Sequence, residues 1–247
     1  KKMVYWKEKI SRYKQYFRFN NNEITGLAVA ALLTGFIFSF RDWGGASFNF
    51  LLGIRNMILA ILAAGLLFFV RVSLQKLYGL SGGYKVEFKP LWGGIIGAVI
   101  LAFVTNGLIP IILIGGTTVI FISKHRMGEY RYGFSYWNNG IISMWAIYAA
   151  IIMGCFFGLG AYIFPSSYFF SKGLIMSMIM GFLSLLPIPQ MEAYSIYYAA
   201  PWLYLVAILI MIIVALLLLT KTLIGLMVCI VIGLIFGFIY FMIGSEK

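Results

Sequence analysis

Long apolar stretches separated by short polar punctuation run from residue 24 almost to the end of the chain. About 20 apolar residues, at 1.5 Å each, cross the hydrocarbon of a bilayer. On that ruler the sequence divides into segments 24–40, 51–78, 91–122, 140–164, 173–186, 202–220 and 223–243. Six of them read as clear spans. The remaining one, 91–122, is interrupted by Thr105-Asn106-Gly107, Pro110 and Gly115-Gly116. Those breaks predict a short helix followed by an extended or re-entrant return, tolerated at depth only where protein or a cavity shields the backbone. Just before it, Tyr84-Lys85-Val86-Glu87-Phe88-Lys89 alternates with period two behind Ser81-Gly82-Gly83, which predicts a short interfacial strand. The expected fold class is an all-α polytopic membrane protein with six to seven transmembrane segments and a short interfacial β element. Residues 23–247 would form a single transmembrane domain behind a basic, aromatic interfacial segment, 1–22.

Composition sharpens this. Of 247 residues 62% are apolar and only 11% charged, against roughly 25% charged in a water-soluble chain, so a soluble globular protein is excluded. The net charge of +12 would suit nucleic acid, but in a membrane protein such an excess marks loops lying against anionic lipid. Anionic lipid headgroups are therefore the expected surface partner, and nucleic acid is not. Lysines and arginines concentrate before residue 19 and at Lys85, Lys89, Lys124, Arg126 and Arg131, and the positive-inside rule places these on the cytoplasmic side. If 91–122 returns to the side it left, the opposite loops carry only Arg41, Arg55, Lys172 and Lys221, and both termini are cytoplasmic. The segment 1–18 lacks the short apolar core and cleavage site of a signal peptide and reads as an interfacial helix.

Cys155 and Cys229 lie inside apolar runs and read as small buried side chains. The single histidine, His125, sits in a basic loop, so no multi-histidine metal site can be assembled. Gly154/Gly158 and Gly233/Gly237 predict close helix packing within the chain.

Several motifs together resemble one family, the site-2 intramembrane metalloproteases of archaeal type. Arg71-Val72-Ser73-Leu74-Gln75-Lys76, followed by Glu87-Phe88-Lys89, is similar in register to that family's His-Glu-x-x-His-Lys helix and Ala-Glu-Phe-Arg strand. Phe19-Asn20-Asn21-Asn22-Glu23-Ile24 and Phe36-Ile37-Phe38-Ser39-Phe40 resemble the two ends of its first helix. Gly140-Ile141-Ile142-Ser143 resembles its Gly-Lys-Ile-Ser opening. Ser184-Leu185-Leu186-Pro187-Ile188-Pro189-Gln190-Met191-Glu192-Ala193 resembles its Asn-Leu-Leu-Pro-Ile-Pro-Pro-Leu-Asp-Gly segment, and Pro201-Trp202 falls where a tryptophan often opens the next helix. The likeness covers roughly residues 19–220, and only the Leu-Pro-Ile-Pro run is specific by itself. It implies a site-2 protease-like core in the plasma membrane of a prokaryote.

In that family two histidines one turn apart and a distal aspartate hold zinc, and the intervening glutamate activates the bound water. Carried over, the first histidine position is Arg71, the glutamate Val72, the second histidine Gln75 and the aspartate Glu192. A catalytic zinc needs about three ligands with lone pairs; arginine is permanently cationic, glutamine a weak neutral ligand, and valine moves no proton. No catalytic residue, no metal ligand set and no zinc cofactor are therefore expected. Other departures agree, with Ser184 for a substrate-positioning asparagine, Ala146-Ile147 for a Gly-Pro pair, and no closing glycine after Glu192. The expectation is a pseudoprotease that serves as a binding, scaffold or structural subunit for a membrane protein or a multisubunit membrane complex, with Ser184, Pro187, Pro189 and the Glu87 strand edge as groove candidates.

Arg71 itself has two readings. A lone arginine at depth costs about 2.5–3.5 kcal/mol on insertion scales, so it must be paired, hydrated or at a headgroup. Either it pairs with Glu192, helped by the Gln75 amide, or Arg71 and Lys76 snorkel to headgroups while Glu192 is solvated. Two other functions are carried forward. A transporter or channel subunit could use the broken segments at 91–122 and 186–189. A residual protease with other chemistry could use Ser73 and Lys76, which fit Ser-x-x-Lys, although its companion motifs are missing. A rhomboid-type serine protease would need a histidine within a span, and His125 lies in a loop.

Overall fold

The computed structural model describes residues 10–11, 13–44, 48–122, 136–220 and 222–245, and the predicted basic loop around His125 lies outside these residues, as does most of the segment 1–12. The chain is mostly helical with one small sheet. Its elements in order are α1 (Asn21–Ser39), α2 (Phe50–Ser81), β1 (Tyr84–Pro90), α3 (Trp92–Val104), β2 (Gly115–Phe121), α4 (Tyr136–Ile163), α5 (Tyr168–Ser184), α6 (Glu192–Ala199), α7 (Pro201–Leu219) and α8 (Leu223–Ser245). Helices α1, α2, α4 and α7 are long and apolar enough to cross a bilayer, while α3 and α5 are shorter apolar helices.

Sequence chemistry sets the ends of these elements. Helix α1 begins at Asn21, inside the segment expected to lie ahead of the transmembrane domain, because the Glu23 carboxylate turns back to accept the Asn20 N–H at 2.8 Å and satisfies a free donor of the first turn. Helix α5 begins at Tyr168, five residues before the apolar run, since Pro165-Ser166-Ser167 forms the preceding turn. Helix α7 opens on Pro201, whose fixed φ suits a first helical turn.

The interrupted segment resolves as a helix and a return strand. Helix α3 runs away from β1, and residues 105–114 bring the chain back to β2, which pairs antiparallel with β1 in the register Tyr84 with Phe121 through Pro90 with Gly115. The helix and extended return expected at 91–122 are both present, and the predicted strand at Tyr84–Lys89 is β1.

Helix α2 supplies the central stripe. Ala60, Ala63, Ala64, Leu67 and Phe68 are all buried and lead directly into Arg71, Val72, Gln75 and Lys76 on the same face. The small residues let α1 come close: a Cβ on Gly35 would stand 2.7 Å from the Ile61 backbone nitrogen. Gly154 and Gly158 face Leu218 and Leu226, and Gly237 faces Tyr148, so these glycines pack helices of one chain together. Cys155 and Cys229 are free and buried, as their apolar surroundings predicted. Outward faces are apolar too, with Leu32, Leu62, Leu205, Leu209 and Leu216 all more than half exposed, a pattern suited to a hydrocarbon solvent.

Candidate functional site

The site is assembled where α2, the sheet and the start of α6 converge. Pro187 and Pro189 forbid helix after Ser184, and the chain turns instead through Ile188 N–H to Leu186 O (2.7 Å) and Met191 N–H to Ile188 O (3.0 Å). Gln190 takes a left-handed φ of 72°, uncommon for a side chain of its kind. That turn lays the Gln190 carbonyl against Gly116, where any Cβ would collide with it. A glycine in β2 is thus what lets the 190–192 backbone approach the sheet, and it delivers Glu192 into the interior as the first residue of α6.

There Arg71 meets it. One guanidinium nitrogen of Arg71 donates both to Glu192 Oε1 and, at 3.0 Å, to the carbonyl of Gly115 at the start of β2. Both charged side chains are only 1% exposed. Of the two sequence readings, the ion pair is the one the geometry realises, and Glu192 is not solvated. The Gln75 amide does not help the pair: it is wholly buried but makes no hydrogen bond to the described residues. Arg71 Nε, Glu192 Oε2 and the hydroxyl of Ser184 are likewise buried without a partner among them. Val72 is fully buried in the apolar core beside the pair.

Lys76 departs from the snorkelling expectation. It is 3% exposed and its ammonium lies 2.7 Å from Glu23 Oε2, 2.9 Å from the Arg18 carbonyl and 4.3 Å from the centre of the Phe19 ring. The other Glu23 oxygen accepts the Phe88 N–H of β1 at 2.7 Å. One carboxylate therefore ties α1, α2 and β1 together. Ser73 and Lys76 are not hydrogen bonded to each other, since the Lys76 ammonium faces Glu23 and the Ser73 hydroxyl makes no hydrogen bond among the described residues.

Glu87 is displaced from the role expected of it. Its side chain is partly exposed and pairs with Lys85 at 2.6 Å, and its backbone faces β2 opposite Thr118. Residues of an antiparallel pair alternate between facing the partner strand and facing away. Phe88 turns its N–H outward on β1, and that donor is already taken by Glu23. On β2 the outward set is Gly115, Thr117, Val119 and Phe121. Gly115 gives its carbonyl to Arg71, whereas Thr117 and Val119 make no backbone hydrogen bond on that side among the described residues. Among the described residues the edge open to another strand is thus on β2, and period-two reasoning missed it because Gly115–Phe121 has no alternation of polar and apolar positions.

The donor set does not suit zinc. The cluster carries a guanidinium, a neutral amide and a carboxylate committed to the guanidinium; among the described residues there is no group of three histidine, cysteine, aspartate or glutamate side chains. The arrangement can hold a neutralised charge pair in a water-poor interior, and it presents a short strand edge beside it. Compared with protein-family models, with curated proteins and with solved structures, the chain matches none.

Proposed function

We propose that this chain is a membrane-embedded pseudoprotease of the site-2 type, which has lost zinc and proteolysis and holds a segment of another membrane protein. The observation that carries the reading is the buried Arg71–Glu192 pair. It stands at the two positions where the resembled family places metal ligands, and each residue neutralises the other without a metal. The free β2 edge at Thr117 and Val119 and the exposed prolines Pro187 and Pro189 beside it support a docking role, because an extended partner segment can add to an open strand by main-chain hydrogen bonds. The expected setting is a prokaryotic plasma membrane with both termini in the cytoplasm. The basic loops would lie against anionic headgroups.

The test combines metal analysis with site-directed crosslinking. A photoreactive residue placed at Val119 is expected to crosslink a membrane protein in native membranes, and Thr117→Pro, which removes an outward N–H without touching the β1 ladder, is expected to abolish that crosslink. Purified protein is expected to contain no zinc. Stoichiometric zinc with cleavage of a membrane substrate would overturn the reading, as would crosslinking indifferent to Thr117→Pro.

A further inference from the structure

A second polar cluster sits at the other end of α2. Asp42, just past α1, has its Oδ2 held by the Lys172 ammonium at 2.6 Å and by the Tyr168 hydroxyl at 2.7 Å, both from the start of α5. Its backbone carbonyl accepts from Asn56 of α2 at 2.8 Å. Asn56 and Arg71 are fifteen residues apart on one helix, so the cluster lies about 22 Å from the buried pair along the axis. It borders an open cleft of about 430 Å³.

The lining of the cleft mixes charged and apolar side chains. The end of α1 contributes Phe38, Arg41 and Asp42, α5 contributes Lys172 and Ile175, and the loop after α3 contributes Leu108. Asp42 is offset by Lys172, and Arg41 is exposed and forms no ion pair among the described residues, so the lining keeps one net positive charge with a free guanidinium fork. Immediately beyond it the surface is apolar: Leu108 is 66% exposed and Val104 76%. Charge and exposed hydrocarbon lining one cleft is the environment of a lipid–water boundary. The loop after α3 lies close there, with Gly107, at a left-handed φ of 70° that favours glycine, packed tightly against Phe40 and Arg41.

We infer that this cleft is a binding site for the phosphate headgroup of an anionic phospholipid, with Arg41 and Lys172 on the phosphate and the glycerol and upper acyl chain against Leu108 and Ile175. Arginine matches phosphate with two parallel N–H donors, and the fork of Arg41 has no competing carboxylate. This site lies at the opposite end of α2 from the sheet that carries Lys85 and Lys89, so it would add a specific lipid away from those cations. It rests on the bilayer setting of the apolar helices and does not depend on the role of the Arg71–Glu192 pair.

The experiment titrates the purified full chain, in a non-ionic detergent, with dihexanoyl-phosphatidylglycerol, and in parallel with dihexanoyl-phosphatidylcholine, glycerol phosphate and inorganic phosphate. Phosphatidylglycerol is expected to bind most tightly. Arg41→Gln, an exposed change that leaves the Asp42 cluster intact, is expected to weaken it about tenfold, and Lys172→Arg to preserve it. Equal affinity of the parent and Arg41→Gln would overturn the inference. Glycerol phosphate or inorganic phosphate binding as tightly as the lipid would also overturn it, by assigning the cleft to a soluble phosphate. Zinc content and Val119 crosslinking are read separately, so failure here is distinguishable from failure of the pseudoprotease reading.

Discussion

Removing one partner of the Arg71–Glu192 pair leaves the other as an uncompensated charge in the interior. Among the described residues, the guanidinium in Glu192→Leu, 1% exposed, retains only the Gly115 carbonyl, and the carboxylate in Arg71→Met loses its only hydrogen-bond partner. Breaking a buried pair in this way costs about 3–5 kcal/mol. The double variant Arg71→Met, Glu192→Leu replaces both charges by apolar groups of similar length, and such exchanges come out neutral or stabilising by about 1–4 kcal/mol. The single costs sum to about 6–10 kcal/mol, so the double-mutant cycle should return a coupling of at least about 6 kcal/mol. The assay is unfolding in mixed micelles as the mole fraction of a denaturing detergent is raised, read by far-UV circular dichroism and intrinsic tryptophan fluorescence. Two low midpoints for the single variants and a restored midpoint for the double variant are expected. Single costs below about 1 kcal/mol that simply add would refute the argument, because that is how solvated, snorkelling charges behave.

Two further outcomes follow from neighbouring geometry. Glu23→Gln removes the carboxylate shared by Lys76 and the Phe88 amide; it should destabilise the chain by about 3 kcal/mol and speed hydrogen exchange at Phe88 selectively, while unchanged exchange there would show that the carboxylate does not hold β1. Gly35→Ala forces a Cβ to 2.7 Å from the Ile61 backbone and should cost about 1–3 kcal/mol in the same micelle assay; a neutral result would mean that α1 and α2 pack less closely there.

How far the sequence carries depends on whether a feature is local. Apolar run length locates the helices, the alternation at Tyr84–Lys89 gives β1, and the prolines at 187 and 189 give the break that admits Glu192, because each of these is written in consecutive residues. Strand β2 was legible only as an extended return, since Gly115–Phe121 has no alternation of polar and apolar positions. The Glu23–Lys76 link was not legible at all: its partners are 53 residues apart, and a glutamate at the start of a helix looks like a cap, which it also is. The Arg71–Glu192 pair spans 121 residues and could be posed as an alternative only through the family likeness. Gly116 gave no signal of its own, because its importance lies in what a side chain would strike.

Glu23 also imposes an order on synthesis. The first apolar helix is complete when only its own residues have been made, yet its carboxylate waits 53 residues for Lys76 and 65 for the Phe88 amide. Until Lys76 emerges, that carboxylate holds only the Asn20 N–H of its own helix, and until β1 emerges it still lacks the Phe88 amide. A chain halted between residues 76 and 88 can therefore join α1 to α2 through Glu23 and Lys76 while one oxygen of that carboxylate still waits for the sheet.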